Sequence, residues 1–148
     1  MKTDAQWMEY ALKLASYSLD ESRKTACVLV GPDGRRITEG INKFPNGVMR
    51  TPERCARPDK YDFTEHAERT ALYHAAAVGL ECGGAVAYVT WFPCADCARA
   101  LAMVGVTRLV CFEPDWTEER YGFRRAAVIL KESGVNITFL PGSAGVSK

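Results

Sequence analysis

At 148 residues, with 47% hydrophobic and 25% charged side chains, the chain is long enough to bury its own core and has an ordinary globular composition. A formal net charge of +1 argues against the broad basic surface that binds nucleic acid or an acidic membrane, and no apolar run approaches the ~18 residues of a membrane span. The six cysteines do not read as a disulfide scaffold: a core of this size needs no staples, and residues 1–7 lack the charged-then-apolar layout of an export signal. A cytoplasmic location is the expectation.

In chain order, Thr3 and Asp4 offer caps for a first helix, in which Trp7, Met8, Ala11, Leu12, Ala15 and Leu19 recur at helical spacing. Residues 26–30 are a short apolar run, ended by the turn signal Gly31-Pro32-Asp33-Gly34, so residues 36–41 read as the second arm of a hairpin. Residues 42–62 carry Pro45, Gly47, Pro52 and Pro58 without a clear period and read as a loop, of a length that is often functional inside a compact domain. A helix is predicted over residues 64–78, with Ala67, Ala71, Leu72, Ala75 and Ala76 on its packed side and Gly79 or Gly83-Gly84 as its stop. Buried strands follow at 85–91 and 107–112, with a helix from about 95 to 104 between them. A helix over 117–133, which Gly122 could divide, leads to a last strand at 135–140 and a loose tail over 141–148. Cys27 and Cys111 lie in apolar runs and read as small buried hydrophobes. The order predicts a single α/β domain over residues 1–148, a three-layer α/β/α sandwich on a five-stranded mixed sheet, with an N-terminal hairpin and parallel later strands.

Within this frame, His66-Ala67-Glu68 and Pro93-Cys94-Ala95-Asp96-Cys97 fall at the starts of successive helices. Cys94 and Cys97 are three apart, so both sulfurs face one way on the first turn. With His66 they make a three-ligand set for one Zn²⁺ per chain, leaving the open fourth position that a catalytic zinc needs. Zinc lowers the pKa of its water to about 7. Two thiolates weaken that effect, and Glu68 beside the ligand is the base that compensates. Such a carboxylate can take the water's proton and pass it on to a group of the substrate. A structural zinc would need a fourth ligand from Cys82, His74 or Cys55, and would leave Glu68 without a purpose. His74 reads as a helix-surface or interface residue.

His-x-Glu followed by Pro-Cys-x-x-Cys is the signature of zinc deaminases. At these residues the chain resembles the cytidine deaminase superfamily and, within it, the deoxycytidylate (dCMP) deaminase branch. The resemblance extends to Gly40-Ile41-Asn42-Lys43-Phe44-Pro45-Asn46-Gly47, to Lys60-Tyr61, to Tyr88-Val89-Thr90 before Phe92-Pro93-Cys94, and to Gly134-Val135. It implies a cytidine deaminase-like fold, self-association into a homo-oligomer, and hydrolysis of dCMP to dUMP and ammonia. It implies that Asn42 hydrogen-bonds the sugar or the pyrimidine and that the Ala67 N–H faces the ring carbonyl. The 5′-phosphate needs cations. Arg50, Arg54, Arg57 and Lys60 crowd the long loop, either as a phosphate clamp or as a solvated loop balanced by Glu53, Asp59 and Asp62. Tyr121 and Phe123 stand where relatives close the pocket, or are plain core. Thr70, Trp91 and Lys43 depart from the branch's usual residues, and a bulky Trp91 beside the pocket bears on which base or sugar fits. The rival readings are another small amino-heterocycle as substrate (a free base, a nucleoside or a guanine-like purine), a transfer-RNA adenosine deaminase, and a non-catalytic zinc module.

Overall fold

The structure is a computed structural model, and it describes residues 1–143. The helix α1 (Asp4–Ala15) starts at a capping box: Thr3 accepts from the Gln6 N–H while the Gln6 side chain accepts from the Thr3 N–H. The strands β1 (Ala26–Val30) and β2 (Arg36–Ile41) form the hairpin, at the bounds that the apolar run and the turn signal predict. The short helices α2 (Pro52–Cys55) and α3 (Lys60–Phe63) lie inside the long loop. Then follow α4 (Ala67–Val78), β3 (Val86–Val89), α5 (Ala95–Met103), β4 (Arg108–Phe112), α6 (Phe123–Glu132) and β5 (Asn136–Leu140).

The five strands make one sheet in the order β2-β1-β3-β4-β5. The β1–β2 and β1–β3 pairs are antiparallel, while β3–β4 and β4–β5 are parallel. Both faces are covered, which is why β1 is buried along its whole length. Cys27 and Leu29 point into the core shared with α4, α5 and α6; Val28 and Val30 point into the core shared with Trp7, Met8 and Ala11 of α1. The expected three layers are present. All six cysteines are free thiols. Among the described residues no helix is long and apolar enough to cross a membrane.

Four expectations need correction. The first helix stops at Ala15, and Leu19 is exposed. Beyond it the Ser18 hydroxyl is buried and donates to the Asn42 carbonyl, and Asp20 accepts from the Ser22 and Arg23 N–H groups, so the chain leaves the helical path to run toward β2. Ala76 is exposed rather than packed, because only Ala67, Ala71, Leu72 and Ala75 of α4's apolar set meet the sheet. Residues 42–62 are not a plain loop: α2 starts at the cap Thr51 with Pro52 at its first turn, and Phe44 stacks on Phe63 to close the segment. The last helix begins only at Phe123, because Gly122 takes φ +63, the left-handed region. The expected loose tail lies mostly outside the described residues.

The position of α4 depends on a close approach. Gly40 of β2 is buried under it, and a Cβ there would stand 2.5 Å from the Ala71 nitrogen and 2.6 Å from the Ala67 carbonyl oxygen. Only glycine lets the helix that begins with Ala67 and Glu68 lie this close to the sheet.

Candidate active site

Two helix starts supply the reactive side chains. His66 is the residue before α4 and Cys94 the residue before α5, both with extended backbones, and neither side chain caps its helix. Caps at such positions are normally Ser, Thr, Asp or Asn; here the side chains turn to each other instead. His66 Nδ1 lies 3.5 Å from Cys94 Sγ and 3.4 Å from Cys97 Sγ, and the three donor atoms lie within 4.8 Å of one another. Zinc bonds of about 2.3 Å to sulfur and about 2.0–2.1 Å to nitrogen, at a tetrahedral angle, separate N from S by about 3.5 Å. The cluster therefore fits Zn²⁺. No other group of three or more His, Cys, Asp or Glu donors among the described residues could hold a metal. Cys55, Cys82 and His74 lie outside the cluster. His74 is exposed, with its Nδ1 2.9 Å from the Glu39 carbonyl.

Before a cation binds, protons are shared within the cluster. The Cys94 thiol is pulled down to about 4, chiefly by its hydrogen bond with Cys97 and then by His66, against burial. The same hydrogen bond, with burial, drives the Cys97 thiol up. The hydrogen bond with Cys94 raises His66 although burial opposes it. Glu68 is 6% exposed and lines the cleft; burial lifts its carboxyl above the usual range, with His66 opposing. A carboxyl of raised proton affinity is suited to holding and releasing a proton.

A polar brace holds the two helix starts together. Glu65 accepts from the His66 N–H at 3.0 Å and pairs with Arg69 at 2.6 Å, and Arg69 reaches Asp96 of α5 at 3.6 Å. The sequence reading missed Glu65 and Arg69, since their spacing is that of an ordinary helix-surface pair.

The cluster opens into a cleft of about 660 Å³ including its mouth. Of the residues expected at the substrate, Asn42, Arg57, Lys60, Trp91 and Tyr121 line it together with His66, Glu68 and Cys94. Ala67, Arg50 and Arg54 are not among the residues that line it. Arg50 lies over the Phe44 ring at 4.8 Å and donates to the Leu19 carbonyl; Arg54 lies over Phe63 at 4.6 Å and donates to the Met49 carbonyl. Lys60 is paired with Asp20 at 3.0 Å and also donates to the Ser22 hydroxyl. Asn42 is buried, accepts from the Thr25 N–H at 2.9 Å and donates to the Arg23 carbonyl at 2.7 Å, which leaves one N–H and one lone pair of its amide. Ala67 is fully buried as the first residue of α4, where an N–H has no intrahelical acceptor. Tyr121 and Phe123 divide the two readings between them: Tyr121 lines the cleft and Phe123 is core.

The segment before β1 was missed altogether. Asp20, Ser22, Arg23 and Thr25 line the cleft, and the Arg23 guanidinium lies 3.7 Å from the Trp91 ring centroid and 5.2 Å from that of Tyr121. The available signal was a short polar run between an apolar helix and an apolar strand. Arg23 Nε, Trp91 Nε1 and Thr70 Oγ1 are buried without a hydrogen-bond partner among the described residues.

Comparison with known proteins places this geometry. Residues 1–113 match the family model for the cytidine and deoxycytidylate deaminase zinc-binding region. A deaminase encoded beside luxG in Aliivibrio fischeri is 29% identical over 141 residues, covering 92% of each chain. The deoxycytidylate deaminase of enterobacteria phage T2 is 35% identical over 139 residues, covering 89% of this chain and 63% of the phage protein. The dCMP deaminase of cyanophage S-TIM5, solved with dCMP and dUMP, superposes with a TM-score of 0.77 at 23% identity, covering 95% of this chain and 99% of that one.

Proposed function

Since the chain belongs to the cytidine and deoxycytidylate deaminase family, a family of zinc-dependent hydrolytic deaminases, we propose that its own reaction is dCMP + water → dUMP + ammonia. The observation that carries the reading is the juxtaposition of a three-ligand cage with a buried carboxyl at the same cleft. His66, Cys94 and Cys97 would hold one zinc ion per chain. Zinc held there supplies a Lewis acid that lowers the pKa of a water to about 7 and so makes a nucleophile at neutral pH.

The remaining work belongs to the protein. Glu68 takes a proton from the attacking water and delivers it to the ring nitrogen beside the attacked carbon. It then moves the new hydroxyl's proton to the amino nitrogen; the C–N bond breaks, ammonia leaves and the ring carbonyl forms. The Ala67 N–H and the free positions of the Asn42 amide would hold the pyrimidine and its sugar. Trp91 and Tyr121 wall the base. The relatives that act on deoxycytidylate support the choice of substrate. The same reading makes residues 1–148 one deaminase domain working in the cytoplasm. Exposed apolar side chains on α4 and at the end of α5, among them Tyr73, Val78 and Met103, support a homo-oligomer.

The test is an ammonia-release panel over dCMP, CMP, deoxycytidine, cytosine, guanine and adenosine. Highest kcat/KM on dCMP is expected, and a preference for an unphosphorylated base or nucleoside overturns the substrate. Glu68→Gln should keep fold and zinc while losing roughly 10²–10⁴-fold in kcat; a fully active variant removes the proton-transfer role.

A further inference from the structure

We propose that Arg23 is the specificity-determining residue of this cleft: its guanidinium grips the phosphate monoester of the substrate, in place of the arginines of the 42–65 segment. The proposal rests on the deaminase reading above and deepens it.

Four observations carry it. First, Arg23 lines the same cleft as His66 and Glu68. Second, it is fixed before any substrate arrives. Its backbone N–H donates to Asp20 Oδ1 at 3.1 Å, its carbonyl accepts from Asn42 Nδ2 at 2.7 Å, and its side chain stacks on Trp91 at 3.7 Å. Stacking uses the face of the guanidinium and leaves its edge N–H groups in plane, the fork that matches two phosphate oxygens. Third, its charge is uncommitted. Arg23 makes no ion pair among the described residues, and its buried Nε has no acceptor. Fourth, the competing cations are engaged or absent. Lys60 is neutralised by Asp20, and Arg50 and Arg54 lie outside the cleft over Phe44 and Phe63. Arg57 lines the cleft but is exposed, where solvent screens its charge. Trp91 then has a function as the platform that holds the arginine. Asn42 acts as a positioning residue for it.

The test compares wild type, Arg23→Gln and Arg23→Lys on dCMP and on deoxycytidine, with inorganic phosphate binding followed by calorimetry. Losing a charge-assisted fork should lower kcat/KM on dCMP by roughly 10- to 100-fold, mainly through KM, and leave deoxycytidine within about threefold. Arg23→Lys, which keeps the charge without the fork, should fall between, and phosphate affinity should follow the same order. An equal loss on both substrates would make Arg23 a plain wall and overturn the proposal. So would a loss of dCMP preference from Arg54→Gln but not from Arg23→Gln. If the wild-type protein deaminates neither compound, the proposed reaction fails, while calorimetry on the same three proteins still decides whether Arg23 binds phosphate.

Discussion

Replacing Gly40 with alanine tests whether the contact between β2 and α4 sets the geometry of the cleft. Gly40 has no positive φ, so alanine suits its backbone, and any effect comes from the close approach alone. The new Cβ would meet the Ala71 nitrogen at 2.5 Å, against the 3.4 Å at which ordinary contact begins, so α4 must retreat by about 0.9 Å. Both atoms it meets most closely are helix backbone, which cannot turn aside as a side chain can. Overpacking of this kind costs about 1–3 kcal/mol, more than the roughly 0.4–1 kcal/mol that a Gly→Ala change returns through the unfolded chain. For a domain of this size the gross cost corresponds to a fall of roughly 2–12 °C in Tm. The retreat carries Glu68 away from Cys94 and Cys97, and a displacement near 1 Å costs about 10²-fold in rate. Thermal unfolding, zinc content and kcat/KM measured on one preparation check all three effects. An unchanged Tm with full activity would refute the idea that this contact places the catalytic helix.

Cys94→Ser should drop the zinc content from one per chain toward zero, read by elemental analysis, and should abolish ammonia release. Chelation of wild-type zinc should lower Tm, since the ion clasps the starts of α4 and α5 and binds the folded state; a Tm indifferent to chelator removes the clasp. Asp20→Asn tests the tie between the segment before β1 and α3. Burial pushes the Asp20 carboxyl up, but Lys60 and the Ser22 and Arg23 N–H groups outweigh it and hold it below the usual carboxylate range. A depressed folded pKa adds stability that is complete above the unfolded value of about 4 and is lost as pH falls through the lower folded value. The variant should therefore be less stable than wild type by roughly 1–3 kcal/mol at pH 7, and the gap should narrow as pH falls below about 4 in denaturant titrations. A gap independent of pH contradicts the ion-pair account.

Much of the site was legible because its chemistry is local. Cys94 and Cys97 face one way on any helix, and Gly79 and Gly122 mark helix limits by backbone conformation alone. The buried strands showed as apolar runs because both faces of the sheet are covered. Leu19 misled because periodicity registers apolar spacing and cannot see that Ser18 and Asp20 find better hydrogen bonds off the helix.

From the order of its residues alone, this chain determined its strands and helices, the paired Cys94 and Cys97, and the His66-Ala67-Glu68 start of α4, since each follows from neighbours within one turn of helix or one strand. Which cations reach the cleft was decided only by the tertiary structure. Asn42 clasps Arg23 across 19 residues and Lys60 meets Asp20 across 40. No local pattern encodes such pairings, because they arise only when the segment before β1 and the segment after β2 fold over the same helix start.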